Sequence, residues 1–209
     1  MIGIIDYGMG NLASVENAFE YLGYDCSLCS QPEEIEGVER LLLPGVGSFQ
    51  AAMHILSRDK WDQAIVKFAN SGRPILGICL GMQLLFDSGD ENGPTEGLGL
   101  ISGDVKHLTP ASPHKVPHVG WNSLNFTQEH PLLKKYKPGV DLYFVHSYQV
   151  RPKSTDHIIA KTDFGGEFVS AVAKDNVAGM QFHPEKSQPY GLKILKNFVD
   201  WEKKCLKKE

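Results

Sequence analysis

Residues 74–86 read PILGICLGMQLLF. An apolar run, Pro74–Ile78, enters the pentapeptide Gly77-Ile78-Cys79-Leu80-Gly81, and a run with helical spacing, Leu80–Phe86, leaves it. A strand that turns sharply through Gly-x-Cys-x-Gly and restarts as a helix has the form of a nucleophile elbow, with Cys in place of Ser. The flanking glycines permit a turn in which Cβ atoms would clash. Such a turn lifts the Cys79 side chain out of the sheet edge and sets its sulfur at a helix N-terminus, where the dipole and free N–H groups favour an anion. The Leu80 N–H is then placed to donate to a developing oxyanion. A buried structural cysteine is an equally good reading of so apolar a stretch, and these thirteen residues do not choose between the two.

On either side of it, Ile2–Asp6 and Arg40–Leu43 are, like Pro74–Ile78, short apolar runs. Helical spacing follows at 12–22, where Leu12, Val15, Phe19 and Leu22 share a face behind a capping Asn11 and ahead of Gly23. It resumes through Ala51–Leu56 and Trp61–Phe68. Strands alternating with helices predict βαβ units, and continuous apolar runs predict strands covered on both faces. The expected fold is α/β, an open and mostly parallel sheet flanked by helices in the flavodoxin-like manner, forming one domain over 1–209. Past Ser88 the texture changes: a polar loop at Ser88–Gly97, short strand-like pieces between Gly99 and Thr127, and strands at Asp141–Val150, His157–Thr162, Phe168–Ala173 and Val177–Phe182. These predict additional antiparallel strands in the second half. An amphipathic helix is expected over Gly191–Lys208, with Leu192, Leu195, Phe198, Val199 and Cys205 facing inward.

The chain has 209 residues, 21 Lys+Arg against 25 Asp+Glu, and a net charge of −4. That balance offers no electrostatic footprint for nucleic acid or an anionic membrane. No run approaches the ~20 apolar residues that span a bilayer, and the N-terminus lacks the basic region of a signal peptide, so a cytoplasmic location is expected. Four cysteines are too few for a disulfide scaffold. Cys26 and Cys29 have redox or half-zinc spacing, but no second pair completes a metal site, and on a strand they would face opposite sides. No cofactor or metal is expected.

His183-Pro184-Glu185 ends the last apolar run, so it falls at a strand's carboxyl edge. Pro184 biases His183 to an extended conformation. Residues two apart on an extended segment point the same way, which lets Glu185 hold one ring nitrogen of His183 while the other faces a thiol. Nucleophile, base and orienter together form a triad. In open α/β sheets sites form beyond the strand carboxyl ends, where both motifs fall.

GICLGMQLLF with a later GMQFHPEKS resembles the class I, triad-type glutamine amidotransferases. PGVGSF (44–49), PHVGWN (117–122) and YFVHSY (143–148) narrow the resemblance to the branch of histidine biosynthesis, and it runs from IIDYGMGN (4–11) to HPEKS. The resemblance implies that Cys79 attacks the glutamine carboxamide, His183 relays protons and Glu185 orients His183. It implies oxyanion donors at Leu80 and in the Gly45-Val46-Gly47 turn, and a substrate contact from Gln83, one helical turn beyond Cys79. It implies that His146-Ser147-Tyr148 hold the α-amino and α-carboxylate ends of the substrate, partly through backbone groups. It further implies a partner, a (β/α)8-barrel cyclase subunit that takes the ammonia in a heterodimer, with Asn11, Trp121, Lys186 and Gln188 as candidate docking residues. Trp121 reads equally well as a core residue. Three other functions share these features: a paralogous subunit supplying ammonia to a cell-surface sugar, a γ-glutamyl hydrolase of the same fold, and a non-enzymatic flavodoxin-like binding module with an incidental Cys79.

Overall fold

The apolar runs of the first half lie side by side in one sheet. In the computed structural model, which describes residues 1–137 and 139–201, the chain begins β1 (Ile2–Ile5), α1 (Leu12–Tyr21), β2 (Cys26–Cys29), β3 (Arg40–Leu43), α2 (Phe49–Arg58), α3 (Trp61–Asn70), β4 (Ile75–Ile78) and α4 (Leu80–Leu84). The second half adds β5 (Phe86–Gly89), β6 (Thr95–Glu96), β7 (Ile101–His107), β8 (His118–Ser123), β9 (Asn125–Phe126), β10 (Asp141–His146), β11 (Tyr148–Pro152), β12 (Ile158–Asp163), β13 (Glu167–Lys174), β14 (Val177–Met180) and α5 (Gln188–Val199).

Strands β2, β1, β3, β4 and β14 run parallel in that order. Beyond β14 the sheet turns mostly antiparallel through β13, β11 and β7, and β8 pairs with β10 in a separate two-stranded ribbon. Successive side chains of a strand point to opposite faces, and here both faces are covered. Ile5, Leu41, Leu43 and Ile75 pack with Phe49, Trp61, Ile65 and Phe68 of α2 and α3. Ile2, Ile4, Leu42, Leu76 and Ile78 pack with Val15 and Phe19 of α1 and Ile194, Leu195 and Phe198 of α5. That is why these strands are apolar throughout rather than alternating. Each fully buried Leu or Ile contributes about 1.5–3 kcal/mol.

Several local expectations are corrected. Helix α1 starts after Asn11, but the Asn11 side chain makes no capping hydrogen bond. The helix expected through Phe86 stops at Leu84, because the carbonyls of Leu84 and Leu85 accept from Leu98, Leu100 and Ile101 instead of continuing the helix. The loop expected at 88–97 carries the end of β5 and β6, which pair antiparallel. The strand expected over 141–150 breaks at Ser147. Its first half pairs with β8 and its second with β7, so the chain changes sheets there. Strand β14 stops at Met180 rather than Phe182. Helix α5 begins three residues early, at Gln188, with Leu192 and Val199 only partly buried; Cys205 lies outside the described residues. Cys26 and Cys29 do face opposite sides of the sheet and join different cores. Burial, followed by nearby carboxylates, holds both thiols above their usual range.

Candidate active site

Strands β4 and β14 are parallel neighbours, with Ile78 beside Met180, and both end at the same edge. Cys79 follows β4 and its N–H donates to the Met180 carbonyl at 2.7 Å. The Cys79 backbone has φ 55° and ψ −111°, a strained position for a residue with a Cβ. Close packing enforces the strain: a Cβ on Gly77 would come within 2.6 Å of the Gly81 carbonyl, and one on Gly81 would overlap the Leu43 carbonyl. Leu80 N–H, the first amide of α4, has no acceptor within its own helix.

His183 follows β14 in extended backbone. Its Nδ1–H donates to Glu185 Oε1 at 2.7 Å, and both side chains are 2% exposed. The pair forms, but not along an extended segment: Pro184–Lys186 is a 3₁₀ turn that brings Glu185 back to the Nδ1 edge of the ring. Ser187 fixes this turn by donating to the His183 carbonyl and accepting from Tyr143 N–H. His183 Nε2 makes no hydrogen bond of ordinary geometry, yet the Cys79 sulfur bears on its protonation. Burial by itself would push the imidazole down; the Cys79 sulfur and the Glu185 carboxylate outweigh it and raise His183 to about 9.

Cys79 and His183 open into a cavity of about 290 Å³, at the small end of ligand clefts. Val46, Gly47, Leu80, Gln83, His146, Ser147 and Tyr148 line it. Gly45 sits just behind, where a Cβ would meet the Tyr7 hydroxyl at 2.6 Å. The break at Ser147 brings residues 146–148 to the cavity wall.

The His146 ring makes two hydrogen bonds of its own. Nδ1–H donates to the Tyr148 carbonyl at 2.8 Å, and Nε2 accepts from His118 Nδ1–H at 3.0 Å. His118 also stacks on Phe144 and Phe164. Burial, with another imidazole close to each ring, pushes both His118 and His146 down to about 4. Both are neutral and hold the wall in place.

Glu91, Pro117 and Val145 line the cavity without having been singled out. Glu91 also accepts from Phe49 N–H at 2.7 Å, which ties it to the start of α2. Nothing in the run DENG distinguishes it from Asp90. Gln181 was also missed, although it stands two residues before His183. Among the described residues, no group of three His, Cys, Asp or Glu is arranged to hold a metal ion, and no helix is long and apolar enough to cross a membrane.

Of the docking candidates, Trp121 is 53% exposed on β8, which excludes the core reading. Its ring meets Tyr143 edge-on at 5.9 Å, and Lys186 Nζ lies 5.9 Å from that same Tyr143 ring. Lys186 and Gln188 are exposed. Asn11, at the start of α1, is half-buried.

The family model described as glutamine amidotransferase class-I matches residues 3–201. The chain belongs to the class I glutamine amidotransferase family. Among relatives of this amidotransferase, imidazole glycerol phosphate synthase subunit HisH of Caldanaerobacter subterraneus subsp. tengcongensis is 50% identical over 206 residues, 99% of this chain and 100% of the relative. The subunit HisH of Sulfurimonas denitrificans is 50% identical over 204 residues, 96% of this chain and 98% of the relative. PurLQS from Thermotoga maritima superposes with a TM-score of 0.75 at 20% identity, covering 95% of this chain and 97% of that one. A crystal structure of a glutamine amidotransferase superposes at 0.74 and 16% identity, with the same coverage. At those identities the two superpositions speak for the fold alone.

Proposed function

We propose that the chain is the glutaminase subunit of imidazole glycerol phosphate synthase. In this reading it hydrolyses L-glutamine to glutamate in the cytoplasm and passes the ammonia to a (β/α)8-barrel cyclase subunit in a heterodimer. The observation that carries the chemistry is the convergence of Cys79 with the His183–Glu185 pair, 2.7 Å apart, at the wall of one small cavity.

The Cys79 proton passes to His183 Nε2, and the sulfur attacks the carboxamide carbon. The C–S bond forms as the carbonyl π pair moves onto oxygen. Leu80 N–H and a backbone N–H of the Gly45–Gly47 turn receive that oxyanion; one such donor is worth roughly 10²–10³ in rate. The oxyanion collapses, the C–N bond breaks, and the nitrogen leaves as ammonia with the proton from His183. Water then attacks the thioester and gives a proton to His183. The C–S bond breaks, its pair returns to sulfur, and glutamate is released. Glu185 keeps the ring in the tautomer with Nε2 free for these transfers. Among the residues lining the cavity Glu91 is the one carboxylate, so it receives the substrate's α-ammonium group, and the backbone of 146–148 receives the α-carboxylate.

The exposed Trp121, with Lys186 beside Tyr143, has the composition of an interface anchor. The test joins two measurements. Glutamate release must vanish in Cys79→Ala, and the chain must co-purify with the cyclase. Hydrolysis without cyclase binding would point to a paralogue or a free hydrolase; no hydrolysis at all, with the cyclase and its ligand present, would leave a binding module.

A further inference from the structure

Gln181 is fully buried one residue past the end of β14, in a stretch that is otherwise apolar up to His183. A buried amide must find partners for both its ends, and the partners here fix which end faces which way. The Tyr148 carbonyl can only accept, so Gln83 turns its Nε2 toward it, at 3.3 Å. The second hydrogen of that Nε2 then meets Gln181 at 3.0 Å, which requires Gln181 to present Oε1. The other end of Gln181, Nε2, is therefore the end at Cys79 Sγ, 3.7 Å away, and it donates. The sulfur's own proton has a separate acceptor in the Val145 carbonyl, also at 3.7 Å. The amide orientation follows from the donor and acceptor inventory, not from the shape of the side chain.

We propose that Gln181 is a catalytic residue whose N–H donates to the Cys79 sulfur and stabilises it whenever it carries negative charge. A thiol or thioester sulfur is a weak acceptor, whereas a thiolate is a strong one. The donor therefore strengthens as the proton moves to His183 before attack, weakens in the thioester, and strengthens again when the C–S bond breaks and the pair returns to sulfur. Interactions that strengthen on the way to the transition state raise kcat rather than lower KM. Gln83 acts through Gln181 here, as the group that holds its Oε1.

The inference rests on Cys79 being the nucleophile, so its test is read on the sulfur itself. Iodoacetamide alkylation of Cys79 in the full-length chain is followed by mass spectrometry across pH, in wild type and Gln181→Met, with glutamine turnover measured in parallel. Met keeps the volume and removes the donor. Alkylation on the acid limb is expected to fall about tenfold, the limb to move up by about one pH unit, and kcat to fall with KM little changed. An unshifted alkylation profile overturns the proposal, even where kcat falls, because a merely structural loss leaves the limb in place. If Gln181→Met does not fold by thermal unfolding, Gln83→Leu is used instead. Freeing the Gln181 amide to rotate is expected to move the limb the same way by a smaller amount, and an unmoved limb again overturns the proposal. Full glutamine turnover in Cys79→Ala would remove the nucleophile assignment, while the alkylation profiles would still judge the contact between Gln181 and the sulfur.

Discussion

His183 and His146 are both buried at the same cavity, 1% and 5% exposed, and both donate through Nδ1 to an oxygen. Their proton affinities lie on opposite sides of neutrality, at about 9 and about 4. Burial disfavours the charged ring in each case. The difference comes from the partners. His183 faces a carboxylate and a sulfur that can carry charge, whereas His146 faces a carbonyl and a second imidazole whose charge would repel its own. One wall of the cavity thus holds a ring that can move a proton, and the other holds a neutral strut. Depth of burial does not tell the two rings apart; the chemistry of their neighbours does.

The largest test of this contrast is removal of each ring. Cys79→Ala and His183→Ala are each expected to lower glutamate release by at least about a thousandfold, and the double variant to lose little more than either alone, since such residues act as a unit. Losses that add in log rate would argue against a working triad. Next comes Glu185→Gln, which leaves the imidazole in place but removes the charge that holds its proton. Its loss should be about one order of magnitude or more smaller than that of His183→Ala, and NMR titration should find His183 lowered from its raised value.

On the neutral side the readout is stability. His118 and His146 sit below their ordinary value of 6.5, at about 4, so the unfolded chain takes up protons first as pH falls. Their contribution is complete above 6.5 and is lost between 6.5 and about 4, with a slope of at most about 1.4 kcal/mol per pH unit for each ring. His183 has the opposite sign: its contribution is complete below 6.5 and is lost as pH rises through about 9. Chemical denaturation across pH measures both. His118→Phe should roughly halve the acid slope and leave the alkaline one unchanged; an unaltered acid slope would break the comparison. The smallest effect at the site is expected from Trp121→Ala, on the exposed side of the His118 strand. It should weaken cyclase binding by about 1–3 kcal/mol and leave the alkylation rate of Cys79 unchanged.

Features that depend only on neighbouring residues are legible in the chain. Ile2–Ile5, Arg40–Leu43 and Ile75–Ile78 announce strands buried on both faces because their side chains are apolar at every position. The glycines around Cys79 announce a turn too tight for a Cβ, and Pro184 with Glu185 two residues beyond His183 announces a held imidazole. What the chain alone could not show depends on strand adjacency. Cys79 and His183 meet because β4 and β14, about a hundred residues apart, pair in parallel. Residues 146–148 reach the cavity because the strand changes sheets at Ser147, a break that no glycine or proline marks. The same holds for the ring contact of His118 with His146, the placing of Glu91 rather than Asp90 on the wall, and the approach of Gln181 to the sulfur. Each is a contact across the fold, and hydrogen-bond partners of that kind are chosen by the packing of whole elements, whereas hydrophobic period and glycine clashes are properties of neighbouring residues.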